Sequence, residues 1–146
     1  MRTVIEKVML LQEVDIFAEV PTEQLAVLAT IADEVPLLAG DGLYREGEPA
    51  DALYLVLDGG VRLHRGDDTI SEVGPGEAFG TWALFDDEPR LVSADVEADA
   101  TLLRVDRDDF VDLMADHVQI AQGVIKAVAR RLRGLAARDA RNGGRA

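Results

Sequence analysis

The stretch that decides the fold is Gly74-Pro75-Gly76-Glu77-Ala78-Phe79-Gly80-Thr81-Trp82-Ala83-Leu84-Phe85, followed by Asp86-Asp87-Glu88-Pro89-Arg90. A strand ends in a Gly-Pro-Gly turn, and Gly80 then opens a short apolar segment that reads as one helical turn. Unpaired N–H groups at such a turn, at the positive end of its dipole, form a place for an anion. Arg90, set beside it by Pro89, can clamp a phosphate with two parallel N–H bonds. Alone, a glycine-opened turn and one arginine are common surface features, so the flanking sequence has to decide.

Outward from this stretch the chain divides into three zones. Residues 3–33 read as N-terminal helices. Val4, Ile5, Val8 and Leu11, then Leu25, Leu28, Ile31 and Ala32, recur at spacings of three and four. Thr22 is expected to cap the second helix, with Glu23 in its first turn. Phe17, between the two helices, is expected to pack into the body. Residues 36–105 read as β structure. Nine of the 13 glycines lie between Gly40 and Gly80, which places a turn every few residues. Between them, Ala52–Leu57, Val61–His64, Thr69–Val73, Ser93–Ala98 and Thr101–Val105 alternate or run apolar as separate short strands, with a hairpin turn at Gly66-Asp67-Asp68. Such spacing suggests a sandwich or closed roll. Residues 106–138 return to helical period. Asp106 is expected to cap a helix over Asp108–Ala115, and a longer helix covers about His117–Arg138. Its rows Ile120, Val124, Val128, Leu132, Leu135 and Ala121, Ile125, Ala129, Ala136 face away from Lys126, Arg130 and Arg133. Residues 139–146 are expected to fray.

This order resembles the cyclic nucleotide-binding domain family, the sensor module of catabolite-activator-type regulators and kinase regulatory subunits, over about Leu10 to Arg138. Tyr44-Arg45-Glu46-Gly47-Glu48, Leu53–Val61 and Thr101–Val105 with Phe110 beyond support it. The resemblance implies a mainly β fold with flanking helices, a jelly-roll-like β-roll (double-stranded β-helix), as a single domain over 1–146 with its phosphate-binding-cassette-like segment at 74–94. It implies ligand contacts from Phe79, Gly80, Thr81, Trp82, Ala83, Arg90, Leu91 and Val92, with Arg90 on the cyclic phosphate. The candidate ligand is cAMP or cGMP, and no cofactor is required. Gly80, Ala83, Leu84, Pro89, Arg90 and Ser93 match the family's cassette. Thr81 stands where a glutamate accepts from the ribose 2′-hydroxyl, Trp82 where leucine is usual, and Leu91 and Val92 where small residues follow the arginine. Exchanging a charged acceptor for a neutral one costs roughly 1–2 kcal/mol, about tenfold in affinity. The added volume of Trp82, Leu91 and Val92 counts for about 1–3 kcal/mol if the pocket is overpacked. The alternative is a domain whose pocket no longer takes nucleotide and which serves as a dimerisation or protein-interaction module.

Composition narrows the rest. The 146 residues contain no cysteine, which excludes disulfides, thiolate metal sites and a cysteine nucleophile. The formal charge of −13 disfavours nucleic acid and anionic membrane as partners. Seven basic residues against Asp139 give the segment from His117 a formal +6, leaving −19 for residues 1–116. No apolar run suits a signal peptide or a spanning helix, so the cytoplasm is expected. His64 reads as a solvent-facing strand residue and His117 as a helix boundary. The acids Asp86, Asp87 and Glu88 read as an exposed turn, and Ser71 and Ser93 lack partners for nucleophilic chemistry. A metal site and an enzymatic activity are therefore not expected. The two apolar rows of the long helix exceed what one-sided docking needs, so a homodimer through this helix is expected. Eight residues after Arg138 are too few for a further domain of about 50 residues. Direct DNA reading is therefore not expected. The chain is either a single-domain protein acting on a protein partner or effector, or a fragment of a longer one.

Overall fold

The computed structural model describes residues 2–143. Two helices, α1 (Val4–Gln12) and α2 (Thr22–Ala29), flank a 3-10 turn at Asp15–Phe17. Six strands follow: β1 (Ala32–Leu37), β2 (Gly42–Tyr44), β3 (Ala52–Arg65), β4 (Asp68–Val73), β5 (Ala78–Phe79) and β6 (Ser93–Asp106). A second 3-10 turn, Thr81–Leu84, precedes β6, and α3 (Arg107–Asp116) and α4 (Val118–Gly143) close the chain. The strands pair antiparallel in the order β1-β6-β3-β4, with β2 on β6 and β5 on β3. This is the expected β-roll with flanking helices.

The roll is built on two long strands whose side chains sort by period two onto two cores. Leu53, Leu55 and Leu57 of β3 and Leu103 and Val105 of β6 face the helices, against Leu11, Phe17, Leu25, Leu28, Phe110 and Ile120. Ala52, Tyr54 and Val56 of β3 and Ala100 and Leu102 of β6 face the roll interior, with Val61, Val73, Phe79 and Val96. Phe17 is fully buried, with its ring 5.9 Å from that of Phe110.

Several local expectations need correction. The paired short strands are single long ones: 52–57 and 61–64 join in β3, and 93–98 and 101–105 join in β6. Asp58-Gly59-Gly60 does not end a strand but bends it, with register shifts against β6 on either side. Gly59 takes φ +83°, and a Cβ there would lie 2.3 Å from the Asp99 carbonyl oxygen, so the two bends touch backbone to backbone. The sheet begins at Ala32, within the zone read as helical and ahead of the boundary at 36. Pro21, not Thr22, is the N-cap of α2, its carbonyl accepting from Gln24 and Leu25. Asp106 occupies the N-cap of α3, but its carboxylate pairs with Arg104 at 2.8 Å rather than capping the helix. His64 is not solvent-facing: its side chain is 12 % exposed, Nε2 meets the Asp95 carboxylate and Nδ1 lies 2.8 Å from the Gly66 carbonyl. His117 does end α3. The helix expected to fray from 139 continues to Gly143, and residues 144–146 of that tail lie outside the described residues.

Candidate ligand pocket

The cassette region forms one wall of a cavity of about 810 Å³ between the roll and α4. Its anchor is Gly80, at φ +73°, which turns the chain from β5 into the 3-10 turn at Thr81–Leu84. A side chain is excluded there, because a Cβ would lie 2.8 Å from Arg90 Nη1 and 3.1 Å from the Ala52 carbonyl. Four residues of 3-10 geometry carry little dipole, so the positive character of this wall comes from Arg90 rather than from a helix start.

Arg90 is placed by backbone pairing across two loops. Its N–H donates to the Glu48 carbonyl at 2.8 Å, its carbonyl accepts from Gly47 at 2.9 Å, and Pro49 and Pro89 bridge antiparallel beside them. The side chain is only 5 % exposed. Nη2 donates to the Ala52 carbonyl at 3.0 Å and sits 3.5 Å from Asp51. The guanidinium lies 3.9 Å over the Tyr44 ring, a close cation–π contact. Nε is buried without a partner. A buried cation that borders the cavity, held by one carbonyl, an aromatic face and a carboxylate at 3.5 Å, is suited to an anionic ligand that adds charge-assisted hydrogen bonds.

Tyr44 and Phe79 line the cavity, and Tyr54 backs them. Tyr54 and Phe79 stack at 5.4 Å and Tyr44 lies 6.3 Å from each. Burial pushes the Tyr44 hydroxyl above its ordinary pKa, partly offset by the Arg90 guanidinium, so it remains a neutral donor across the physiological range. Ser93 supports the loop opposite, its Oγ accepting from the Glu46 amide at 2.9 Å. Arg65 Nη2 holds the Leu91 carbonyl at 3.2 Å.

All eight residues expected from the sequence (Phe79, Gly80, Thr81, Trp82, Ala83, Arg90, Leu91 and Val92) border this one cavity. Phe79 and Ala83 are buried in its wall, whereas Trp82 and Leu91 stand exposed at its mouth. The bulk at 82 and 91 therefore lies on the rim, not in the space a ligand would fill. Sequence reasoning missed Arg131 as a pocket residue. This α4 side chain reaches the mouth, with its guanidinium 5.9 Å over the Trp82 ring. Arg65 and Glu46 were also missed; only the Tyr44–Glu48 motif pointed near them. Three arginines (65, 90, 131) stand against Glu46, Asp86 and Glu88 around the cavity, so its local charge is balanced on an acidic body. Among the described residues, no group of three or more His, Asp or Glu is gathered as a metal ion requires. No helix among them is long and apolar enough to cross a membrane.

Comparison with known proteins agrees with this geometry. Residues 34–117 match the cyclic nucleotide-binding domain family. The chain is 30% identical over 129 residues to a CRP-like cAMP-activated global transcriptional regulator of Mycobacterium tuberculosis, covering 85% of this chain and 58% of that protein. It is 36% identical over 99 residues to the cyclic AMP receptor protein of Thermus thermophilus, covering 64% and 46%. The chain thus spans about half the length of these relatives. The N-terminal domain of a transcriptional regulator from Streptomyces coelicolor superposes with a TM-score of 0.81 at 35% identity, covering 86% of this chain and 94% of that domain. With the roll, the glycine-anchored turn and the buried arginine in the family's order, the chain belongs to the cyclic nucleotide-binding domain family.

Proposed function

We propose that this chain is a ligand-sensing regulatory domain that binds cAMP or cGMP and transmits its state through α4. The observation that carries the reading is Arg90, a buried arginine that borders the cavity. The cyclic phosphate takes Arg90, and Phe79, Gly80, Thr81, Trp82, Ala83, Leu91 and Val92 surround the sugar and base. Relatives support the ligand class: one is a cAMP-activated regulator, and a solved relative, the regulatory domain of Toxoplasma gondii PKA, was crystallised with cAMP. Thr81 offers the ribose a neutral partner, so affinity is about tenfold weaker than a carboxylate there provides. The domain works in the cytoplasm as one unit over residues 1–146. Titration calorimetry with cAMP and with cGMP tests the reading; saturable heat with either supports it, and no heat at millimolar ligand with folded protein overturns it.

The second part of the proposal is a homodimer through α4. Ile120 and Val124 are buried on the chain's own body, but Ile125, Leu132 and Leu135 further along are exposed. That apolar stripe suits a second copy of the same helix. Size-exclusion chromatography with light scattering should give twice the 15.8 kDa chain mass. Leu132→Glu with Leu135→Glu should return the monomer, and a wild-type monomer at high concentration would reject the dimer.

A further inference from the structure

Arg130 and Arg131 are adjacent on α4 and serve two places. Arg130 Nη1 donates to Glu19 Oε2 at 2.7 Å, while Arg131 lies over Trp82 at the pocket mouth. Neighbours on an α-helix point about 100° apart. The rotation of α4 that seats Arg130 on Glu19 therefore also directs Arg131 toward Trp82. Glu19 lies in the corner between the first 3-10 turn and α2 and does not border the cavity. Its side chain is 22 % exposed and also faces Lys126 Nζ at 3.8 Å. Gly123, Lys126 and Arg130 fall at i, i+3 and i+7, one stripe of the helix. Gly123 belongs to the same contact: a Cβ there would lie 2.9 Å from both the Glu19 carbonyl oxygen and Val20 Cα. Helix backbone, two cations and one carboxylate thus meet at a single corner.

We infer that Glu19 is a positioning residue for the pocket: its ion pairs with Arg130 and Lys126 set the rotation of α4 and so hold Arg131 over Trp82. Its effect on ligand rests on the cyclic-nucleotide reading above; its effect on Trp82 does not. Trp82 is the one tryptophan in the chain, so its fluorescence reports the mouth without any ligand. A fixed arginine beside the ring concentrates iodide there, whereas neutral acrylamide ignores charge. In ligand-free Glu19→Gln the ratio of iodide to acrylamide quenching should fall about twofold, and Arg130→Gln should do the same. The charge-reversed pair, Glu19→Arg with Arg130→Glu, should restore it. With cAMP as probe, Glu19→Gln should raise Kd about threefold through faster dissociation, the scale of a partly exposed ion pair, and the reversed pair should recover it. An unchanged quenching ratio in folded Glu19→Gln overturns the inference. So does a reversed pair that regains the thermal midpoint but not the ratio, because Glu19 would then be structural only. If the wild type binds no nucleotide, the functional reading fails while the quenching arm still decides the role of Glu19.

Discussion

Arg90→Ala is expected to weaken cyclic-nucleotide binding by at least about 100-fold while leaving the chain folded. Each charge-assisted hydrogen bond to the guanidinium contributes ~1.5–3 kcal/mol, and a phosphate taking two of them loses both. No other cation in the cavity wall substitutes, because Arg65 is committed to the Leu91 carbonyl and Arg131 stands at the mouth. The fold should survive because the loss is partly compensated: the Ala52 carbonyl loses its donor, but a buried cation with an unpartnered Nε disappears with it. Arg90→Lys should fall between, since a lysine keeps the charge but neither the planar stack on Tyr44 nor the forked donors. Calorimetry on the three proteins checks the order. Wild-type affinity in the alanine variant would show that ligand does not reach this wall.

Gly59→Ala is expected to be the most damaging small substitution in the roll, at about 3–5 kcal/mol. A non-glycine residue at φ +83° costs ~1–3 kcal/mol in backbone strain. The added methyl also lies 2.3 Å from the Asp99 carbonyl and 2.7 Å from Ala100 Cα, and overpacking against backbone adds ~1–3 kcal/mol. Against a total stability of about 5–15 kcal/mol this is a large share. Gly66→Ala is the internal control. Gly66 also has positive φ, at +59°, but nothing lies within 4 Å of its Cβ position, so only the strain remains. Urea unfolding should separate the two by about 2 kcal/mol. Equal costs would show that the contact between the β3 and β6 bends yields without penalty.

The same glycine shows where the sequence was readable and where it was not. The apolar runs Ala52–Leu57 and Thr101–Val105 located the strands that build both cores, because a short apolar run bounded by turn residues is a local signal. Whether Gly59-Gly60 ends a strand or bends it depends on Asp99 across the roll, some 40 residues away, and no local pattern carries that. His64 looked exposed for the same reason: its partner Asp95 comes from β6. The cassette was legible because Phe79 through Val92 is continuous in sequence, so one motif delivered eight of the residues that line the cavity. Arg131 was not, because its place at the mouth is set by how α4 docks on the Glu19 corner. Thr22 misled because a side-chain cap and a proline carbonyl serve the same helix start, and only the backbone turn distinguishes them.

The contact at Gly123 also makes α4 a lever arm with its fulcrum near one end. From Gly123 to Gly143 the helix extends about 30 Å, at 1.5 Å per residue. A tilt of about 10° about that fulcrum, small enough to be absorbed by side chains at the corner, displaces the far end by about 5 Å, close to one helical pitch. The mechanical gain lies in the ratio of the two arms. The short arm, from Val118, carries buried Ile120; the long arm carries Arg130 and Arg131 near the fulcrum and the exposed Leu132 and Leu135 further out, where a small tilt is felt most.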